Sequence, residues 1–294
     1  MSAGPGRVGF VGLGAIGAVQ AGKLLESGRE LAVFDTRPEA VERLAALGAE
    51  PCTSVAEVGE RAATVMVSLP SPEVVAEVLT AEGGLLDAGA IETFVDLSTT
   101  GPGAARELAR IAAERGVAYL DAPVSGGVAG AQAGALAVYA AGALEVLERC
   151  RPLLEPFAAT IVAVGTEPGQ GQVAKLLNNL LSATAMAATA EAMAVGTRAG
   201  LDPGSLLEAF NAGSGRNSAT ATKFPEQVLS CRFDSGFRLD LMLKDVRLAL
   251  AAAAEEGVPM RVGSEVGEVW ELAAEVAPEG ADHTEIVRLF EDLG

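Results

Sequence analysis

Near the N-terminus the apolar run Val8-Gly9-Phe10-Val11 leads directly into Gly12-Leu13-Gly14-Ala15-Ile16-Gly17, and a helical stretch follows. Each glycine of this loop answers a separate steric demand. Gly12 permits the tight turn out of a strand, Gly14 lets the backbone approach a pyrophosphate, and Gly17 lets helix pack closely on strand. The helix opening at Ile16 and Gly17 offers unpaired N–H groups and a positive dipole end to phosphate. A second apolar run ends at Asp35, 18 residues past Gly17, where a carboxylate accepts hydrogen bonds from ribose hydroxyls. The pattern predicts a β-α-β unit that binds a dinucleotide. Asp35 would repel a 2′-phosphate, so NAD is expected over NADP; against this, Arg37 has the reach to swing toward such a phosphate, its other reading being a solvated arginine at a helix start.

A chain of 294 residues exceeds what one core comfortably serves, which favours two domains. Strand-like runs at 8–11, 31–34, 64–68, 94–97, 118–120 and 161–164 alternate with helical stretches such as 38–47, 72–79 and 102–115. This alternation implies a doubly wound, mostly parallel α/β sheet of Rossmann type over residues 1–165. Beyond it the strand signal stops. A long Ala/Leu/Met-rich helix at about 169–198 joins the sheet to an all-helical domain spanning 166–294, with further helices at 203–211, 239–256, 261–276 and 283–293. The run at 251–254 reads as small residues for close helix packing.

Composition excludes several classes of function. Half the residues are hydrophobic and 20% charged, a globular balance. The net charge of −18 argues against a nucleic-acid partner and against anionic membranes. Three scattered cysteines and one histidine support neither a disulfide framework nor a metal cage. No signal-peptide pattern and no membrane-length apolar window occur, so a cytoplasmic protein is expected.

Three further clusters bear polar chemistry. Asp121-Ala122-Pro123-Val124-Ser125-Gly126-Gly127 sits at the carboxyl end of a predicted strand, where open α/β sheets bind ligands. There the Ser125 hydroxyl and the unshielded N–H groups of Gly126 and Gly127 suit a carboxylate, although a merely small turn reads equally well. In Gly169-Gln170-Gly171-Gln172-Val173-Ala174-Lys175-Leu176-Leu177-Asn178-Asn179, steps of three and four place Lys175, Asn178 and Asn179 on one helix face. Gly171, one turn earlier, would leave room for a flat ring. Such polar groups are costly to bury, so they indicate a lined cleft, or else a solvated stripe. In Leu241-Met242-Leu243-Lys244-Asp245 the last two residues read as an ion pair on a helix surface. His283 reads as a helix-start or surface residue, and Arg216 as a second anion contact.

Taken in order, GLGAIG, DAPVSGGVAGAQAGAL, GQGQVAKLLNN and LMLKD resemble the β-hydroxyacid dehydrogenase family, which includes 3-hydroxyisobutyrate dehydrogenase and shorter relatives of 6-phosphogluconate dehydrogenase. The resemblance covers nearly the whole chain. It implies hydride transfer between a nicotinamide dinucleotide and a short β-hydroxy acid, in a homodimer or homotetramer. By the same resemblance Lys175 is the acid/base and Asn179 its partner. Asn178 is a neighbouring contact, and Ser125, Gly126 and Gly127 hold the substrate carboxylate. Leu69, Pro70, Thr99 and Lys244 join Gly12, Gly14, Ile16, Gly17 and Asp35 around the cofactor. Departures are Ala15-Ile16 and Val19-Gln20, where the family often has Asn-Met and Pro-Met, and Tyr139 in place of a frequent Met. Two alternatives are an imine reductase on the same fold, many of which lack lysine at the position of Lys175, and a non-catalytic dinucleotide-binding assembly module.

Overall fold

The computed structural model describes residues 6–291. By its contacts the chain forms two compact units that divide between Lys175 and Leu176. The first contains β1 (Val8–Val11), α1 (Gly17–Glu26), β2 (Leu31–Phe34), α2 (Pro38–Ala45), β3 (Glu50–Pro51), α3 (Val55–Arg61), β4 (Thr64–Val67), α4 (Pro72–Thr80), β5 (Thr93–Asp96), α5 (Pro102–Glu114) and β6 (Ala118–Asp121). It continues through β7 (Val124–Ser125), α6 (Gly127–Gln132), β8 (Leu136–Ala141), α7 (Leu144–Leu154) and β9 (Ala158–Gly165). The sheet order is β3-β2-β1-β4-β5-β6-β8-β7, with β9 on β8. Strands β1 to β6 are mutually parallel, β8 runs antiparallel to β6 and β7, and β9 is parallel to β8.

The strands read as nearly continuous apolar runs because helices cover both faces. On one face Val8, Phe10, Met66, Val95 and Leu120 pack with Leu24 of α1 and Leu147 and Leu154 of α7. On the other, Val65, Val67, Phe94 and Tyr119 pack with Val58, Val75, Leu79 and Leu108. Strands β3, β7 and β8 are absent from the pattern read from sequence. The first two are two residues long, and Leu-Ala-Val-Tyr-Ala-Ala in β8 is rich in a residue that favours helix.

The 29-residue α8 (Gln170–Arg198) begins in the first unit and runs on into the second. Its start is held by Gln172. The backbone N–H donates to Asp121 Oδ2 at 3.0 Å; the side-chain Oε1 accepts from Thr100 N–H at 2.9 Å and Gly101 N–H at 3.3 Å; and Nε2 donates to the Ser98 carbonyl at 3.1 Å. Gly171 does not leave room for a ring. A Cβ there would collide with the Tyr139 carbonyl and the Asp121 carboxylate, so this glycine serves close approach of helix to β8.

The second unit packs α9 (Pro203–Ala212), a π-helical segment (Ala219–Val228), α10 (Leu239–Glu255), α11 (Arg261–Val276), a 3-10 turn (His283–Val287) and α12 (Arg288–Glu291) beside α8. Trp270 lies fully buried at its centre, its indole N–H donating to the Ala183 carbonyl of α8 at 3.3 Å. The single helix expected at 283–293 is instead the 3-10 turn followed by one short helix, and Leu293 lies outside the described residues. At 251–254 only Ala252 is buried; close packing of α10 on α11 occurs at Gly263 and Gly267, against Leu250.

Two buried polar groups generate predictions. Gln20 of α1 is fully buried with neither amide atom hydrogen-bonded, and an unsatisfied buried group costs roughly 1–3 kcal/mol. Gln20→Met is therefore expected to raise Tm by several degrees in a thermal melt; an unchanged or lower Tm would show that the amide has a partner. Asp121 is buried near Asp96. Burial, reinforced by the Asp96 charge and opposed by the N–H groups of Gln172 and Gly169, pushes its carboxyl up to about 7. The folded state thus holds this proton more tightly than the unfolded chain, so stability is lost as pH rises from about 4 toward about 7. Asp121→Asn keeps an acceptor without the charge. Denaturant titrations should show it gaining on the wild type as pH rises through that window, whereas a pH-independent difference would contradict the assignment.

Candidate active site

The glycine loop, the ends of β2, β4 and β5, and the Ser125 turn all lie at the carboxyl edge of the parallel strands, the ligand-binding edge of such sheets. Gly12 has φ +93°, and a Cβ on it would collide with the Ser68 carbonyl; one on Gly17 would collide with the Gly12 carbonyl. Around Gly14 a Cβ would meet nothing. The loop therefore presents an open backbone surface at Gly14, and Ile16 and Gly17 begin a helix whose first amides lack intrahelical acceptors, which fits a pyrophosphate.

Asp35 follows β2 and lies beside this loop, accepting from Leu13 N–H at 2.6 Å. Arg37 stands exposed at the start of α2, as the solvated reading has it, and is also paired. Its backbone N–H and Nε donate to Asp35 Oδ1 at 2.9 and 3.0 Å, and its Nη2 donates to the Leu13 carbonyl at 3.0 Å. Burial raises the Asp35 carboxyl, but the hydrogen bonds from Arg37 and Leu13 outweigh it and keep the group ionised. Leu69 and Pro70 follow β4, with Leu69 N–H donating to Ser98 Oγ at 3.0 Å. Thr99 follows β5, half-buried between Ser98 and Thr100.

The second cluster meets the third on β8. Ser125 ends β7 opposite Ala137, and Tyr139 N–H donates to the Pro123 carbonyl at 3.0 Å. The same Tyr139 offers its carbonyl to the face of Gly171. Gly126 (φ +132°) and Gly127 (φ +64°) turn the chain into α6 through backbone angles that side chains disfavour. One strand thus brings the Ser-Gly-Gly turn beside the start of α8, one helical turn before Lys175.

In its first turns α8 buries polar groups beside the apolar Leu176 and Leu180. Lys175 is 8% exposed and Asn179 5%, whereas Leu177 and Leu181 are 43% and 72% exposed. Asn178, half-buried, donates through Nδ2 to Asn179 Oδ1 at 3.2 Å, and Asn179 Nδ2 donates to Asp245 Oδ2 at 2.6 Å. The Lys244 ammonium lies 3.2 Å from the other Asp245 oxygen, an ion pair without hydrogen-bond geometry. The solvated stripe read as an alternative for α8 is therefore not formed. The surface ion pair expected on α10 is corrected as well: Asp245 is only 2% exposed. The signal was in the spacing, since Asp245 falls on the stripe Leu239, Met242, Val246 and Ala249 that α10 buries.

His283 starts the 3-10 turn but is buried rather than on the surface, with Nδ1 3.0 Å from Ser235 Oγ and 3.2 Å from the Phe237 carbonyl. Its neighbour Asp282 caps the turn. Burial raises the Asp282 carboxyl, but hydrogen bonds from His283, Thr284 and Ser235 overcome this and hold it well below the usual carboxylate range. This cluster pins the chain locally. Arg216 is exposed. All three cysteines are free, no group of three or more potential metal ligands occurs among the described residues, and no described helix is long and apolar enough to cross a membrane.

Comparison with known proteins agrees with this geometry over both units. Residues 7–165 match the NAD-binding domain of 6-phosphogluconate dehydrogenase, and residues 169–290 match the NAD-binding domain of NADP-dependent 3-hydroxyisobutyrate dehydrogenase. The chain is 38% identical to 3-hydroxyisobutyrate dehydrogenase of Pseudomonas aeruginosa, covering 96% of this chain and 98% of that one. It is 34% identical to 2-(hydroxymethyl)glutarate dehydrogenase of Eubacterium barkeri, over 98% and 95% of the two chains. Among solved structures, 3-hydroxyisobutyrate dehydrogenase of Mycobacterium tuberculosis with L-serine superposes with a TM-score of 0.87 at 33% identity, covering 97% and 99%. An imine reductase of Streptomyces aurantiacus, at 22% identity and a TM-score of 0.65 over 96% and 99%, shares the fold. With an NAD(P)-binding Rossmann domain, a helical domain and relatives this similar along their whole length, the chain belongs to the β-hydroxyacid dehydrogenase family.

Proposed function

We propose that this chain transfers hydride between NAD and the hydroxyl-bearing carbon of a short β-hydroxy carboxylic acid of the 3-hydroxyisobutyrate type, or its semialdehyde. The observation that supports this most is the buried Lys175 and Asn179 on α8, one turn past the place where β8 brings in the Ser125 turn. The open backbone at Gly14 and the ionised Asp35 fit a dinucleotide, whose nicotinamide when bound accepts or returns the hydride.

In the oxidative direction Lys175, as a neutral amine, takes the proton of the β-hydroxyl while the hydride departs, and in reduction its ammonium gives that proton back. Asn179 orients the hydroxyl, and Asp245 fixes the Asn179 amide by accepting one of its protons. Ser125 and the N–H groups of Gly126 and Gly127 hold the carboxylate, with Asn178 as a further contact. Leu69, Pro70, Thr99 and Lys244 are assigned to the cofactor. A cytoplasmic homodimer or homotetramer completes the proposal, supported by the acidic composition and by Leu177, Leu181 and Val195 exposed along α8.

Absorbance of reduced nicotinamide tests the proposal. With NAD, 3-hydroxyisobutyrate, 3-hydroxypropionate or glycerate should be oxidised while their methyl esters fail; equal turnover of acid and ester would remove the carboxylate role from Ser125 to Gly127. Turnover of cyclic imines alone would replace the proposal with an imine reductase. NAD should exceed NADP in kcat/KM, and Asp35→Ala should narrow the gap. A wild-type preference for NADP of about tenfold, worth ~1.4 kcal/mol, would show that Asp35 and Arg37 do not select against a 2′-phosphate.

A further inference from the structure

The strand ends that fasten α8 carry two acids. Asp96 ends β5 and Asp121 ends β6, and they are register partners on neighbouring parallel strands, so their side chains leave the same face of the sheet from strands about 4.8 Å apart. Both are fully buried. Their oxygens are served unequally. Asp96 Oδ1 accepts from Ser98 N–H at 2.9 Å, and its Oδ2 accepts from the hydroxyls of Thr100 and Tyr119 at 3.2 and 3.1 Å. Asp121 Oδ2 accepts from Gln172 N–H at 3.0 Å, while its Oδ1 is buried with no hydrogen-bond partner among the described residues. Like charges this close resist ionising together, and donors decide which one keeps its proton. Three donors stabilise a charge on Asp96, so the proton belongs on the bare Oδ1 of Asp121.

Several elements bring polar or charged groups to Asp121. From β5 comes Asp96, and from β6 the Tyr119 phenol, which burial and the charges of both acids keep protonated. From α8 come the amides of Gly169 and Gln172 and, one turn on, Lys175. The helix sits so close that a Cβ on Gly171 would collide with Asp121 Oδ2 and with the Tyr139 carbonyl of β8. Arg106 of α5 packs its side-chain stem near Gly169. Burial and Asp96 together outweigh the amides and push the Asp121 carboxyl up to about 7.

We infer that Asp121 is a positioning residue for the proton transfer: protonated on Oδ1, it fastens the first turn of α8 without placing a second negative charge near Lys175, and so keeps the neutral amine accessible. The inference rests on the proposed role of Lys175 as acid and base. Lys175 follows Gln172 by three residues, a rise of about 4.5 Å, so its extended side chain ends within roughly 15 Å of the Asp121 carboxyl. Both groups are buried, and solvent screens such a pair weakly. At that separation and an effective dielectric of about 20, one charge displaces a neighbour's titration by about one pH unit. Losing the Asp121 proton favours the Lys175 ammonium, so in the wild type it delays the rise of the oxidation rate with pH.

Two readouts test it: the pH profile of kcat for oxidation of 3-hydroxyisobutyrate with NAD, and a carbon-13 NMR titration of the aspartate side-chain carboxyls. The wild type should show a carboxyl titrating near 7, which Asp121→Asn lacks. Asp121→Asn carries an amide N–H where the proton would sit, and it should lower the midpoint of the kcat profile by about one pH unit. Melting temperature identifies a variant that has merely failed to fold. In that case Asp96→Asn takes its place: by removing one of the two charges it should bring the Asp121 carboxyl below about 5 and likewise lower the kcat midpoint. A merely structural role would reduce kcat at every pH and leave the midpoint unmoved, which would overturn the coupling alone. Wild-type aspartates that all titrate below about 5 would overturn it too. No oxidation of 3-hydroxyisobutyrate, 3-hydroxypropionate or glycerate would overturn the reading of Lys175 and the coupling with it.

Discussion

The site depends on how the first turn of α8 is fastened to the sheet. A helix start leaves several amides without acceptors, and burying them unpaired is costly. Here Asp121, at the carboxyl end of β6, accepts from the backbone of Gln172, and the Gln172 side chain spends its acceptor and one donor on the loop from Ser98 to Gly101. One residue thus ties the helix to the ends of β5 and β6 together. The carboxylate occupies the positive end of the helix, yet it is buried near a second buried acid, Asp96, which receives the hydroxyls of Thr100 and Tyr119 at 3.2 and 3.1 Å. Lys175 emerges one turn later, its backbone position fixed by this fastening.

Beyond Lys175 the second unit supports a polar face inside rather than outside. A buried carboxylate such as Asp245 is tolerable only with compensation, because desolvating a charge costs several kcal/mol. Asn179 Nδ2 supplies a short hydrogen bond and Lys244 an opposite charge. Leu177 and Leu181 of the same helix are exposed, while Leu176 and Leu180 are buried beside the polar groups. The proposed function gives such a helix a use. A fully apolar inner face would be easier to bury, but it could neither accept a proton nor orient a hydroxyl.

Much of this was legible in the sequence, and the reasons are specific. The strand at 8–11, the long helix at 170–198 and the helix at 261–276 follow from periodicity and glycine placement, and the structure has them within those bounds. Strand β8 was illegible because its alanine-rich run is held in place by pairing with β6, β7 and β9, none of it local. Gly171 was misread because its neighbours, the Tyr139 carbonyl and Asp121, are distant in sequence. Asp245 was within reach, since its place on the buried stripe of α10 marks it as internal.

The central claim is that Lys175 is the group that moves the proton. Its ordinary pKa, about 10.4, makes a lysine a poor base at neutral pH; on the proposed function, the buried position and the positive ring of an oxidised nicotinamide would work against the ammonium form. The direct measurement is the pH profile of kcat for oxidation in the wild type, Lys175→Ala and Lys175→Arg, with a cofactor titration on each. The wild-type rate should rise with pH as the neutral amine forms. Both variants should lose roughly 10²- to 10⁴-fold in kcat while holding NAD almost normally, since guanidinium keeps the charge but cannot give up its proton. Near-wild-type oxidation by Lys175→Arg would contradict the account, reducing Lys175 to a positioning charge and moving the base to another residue.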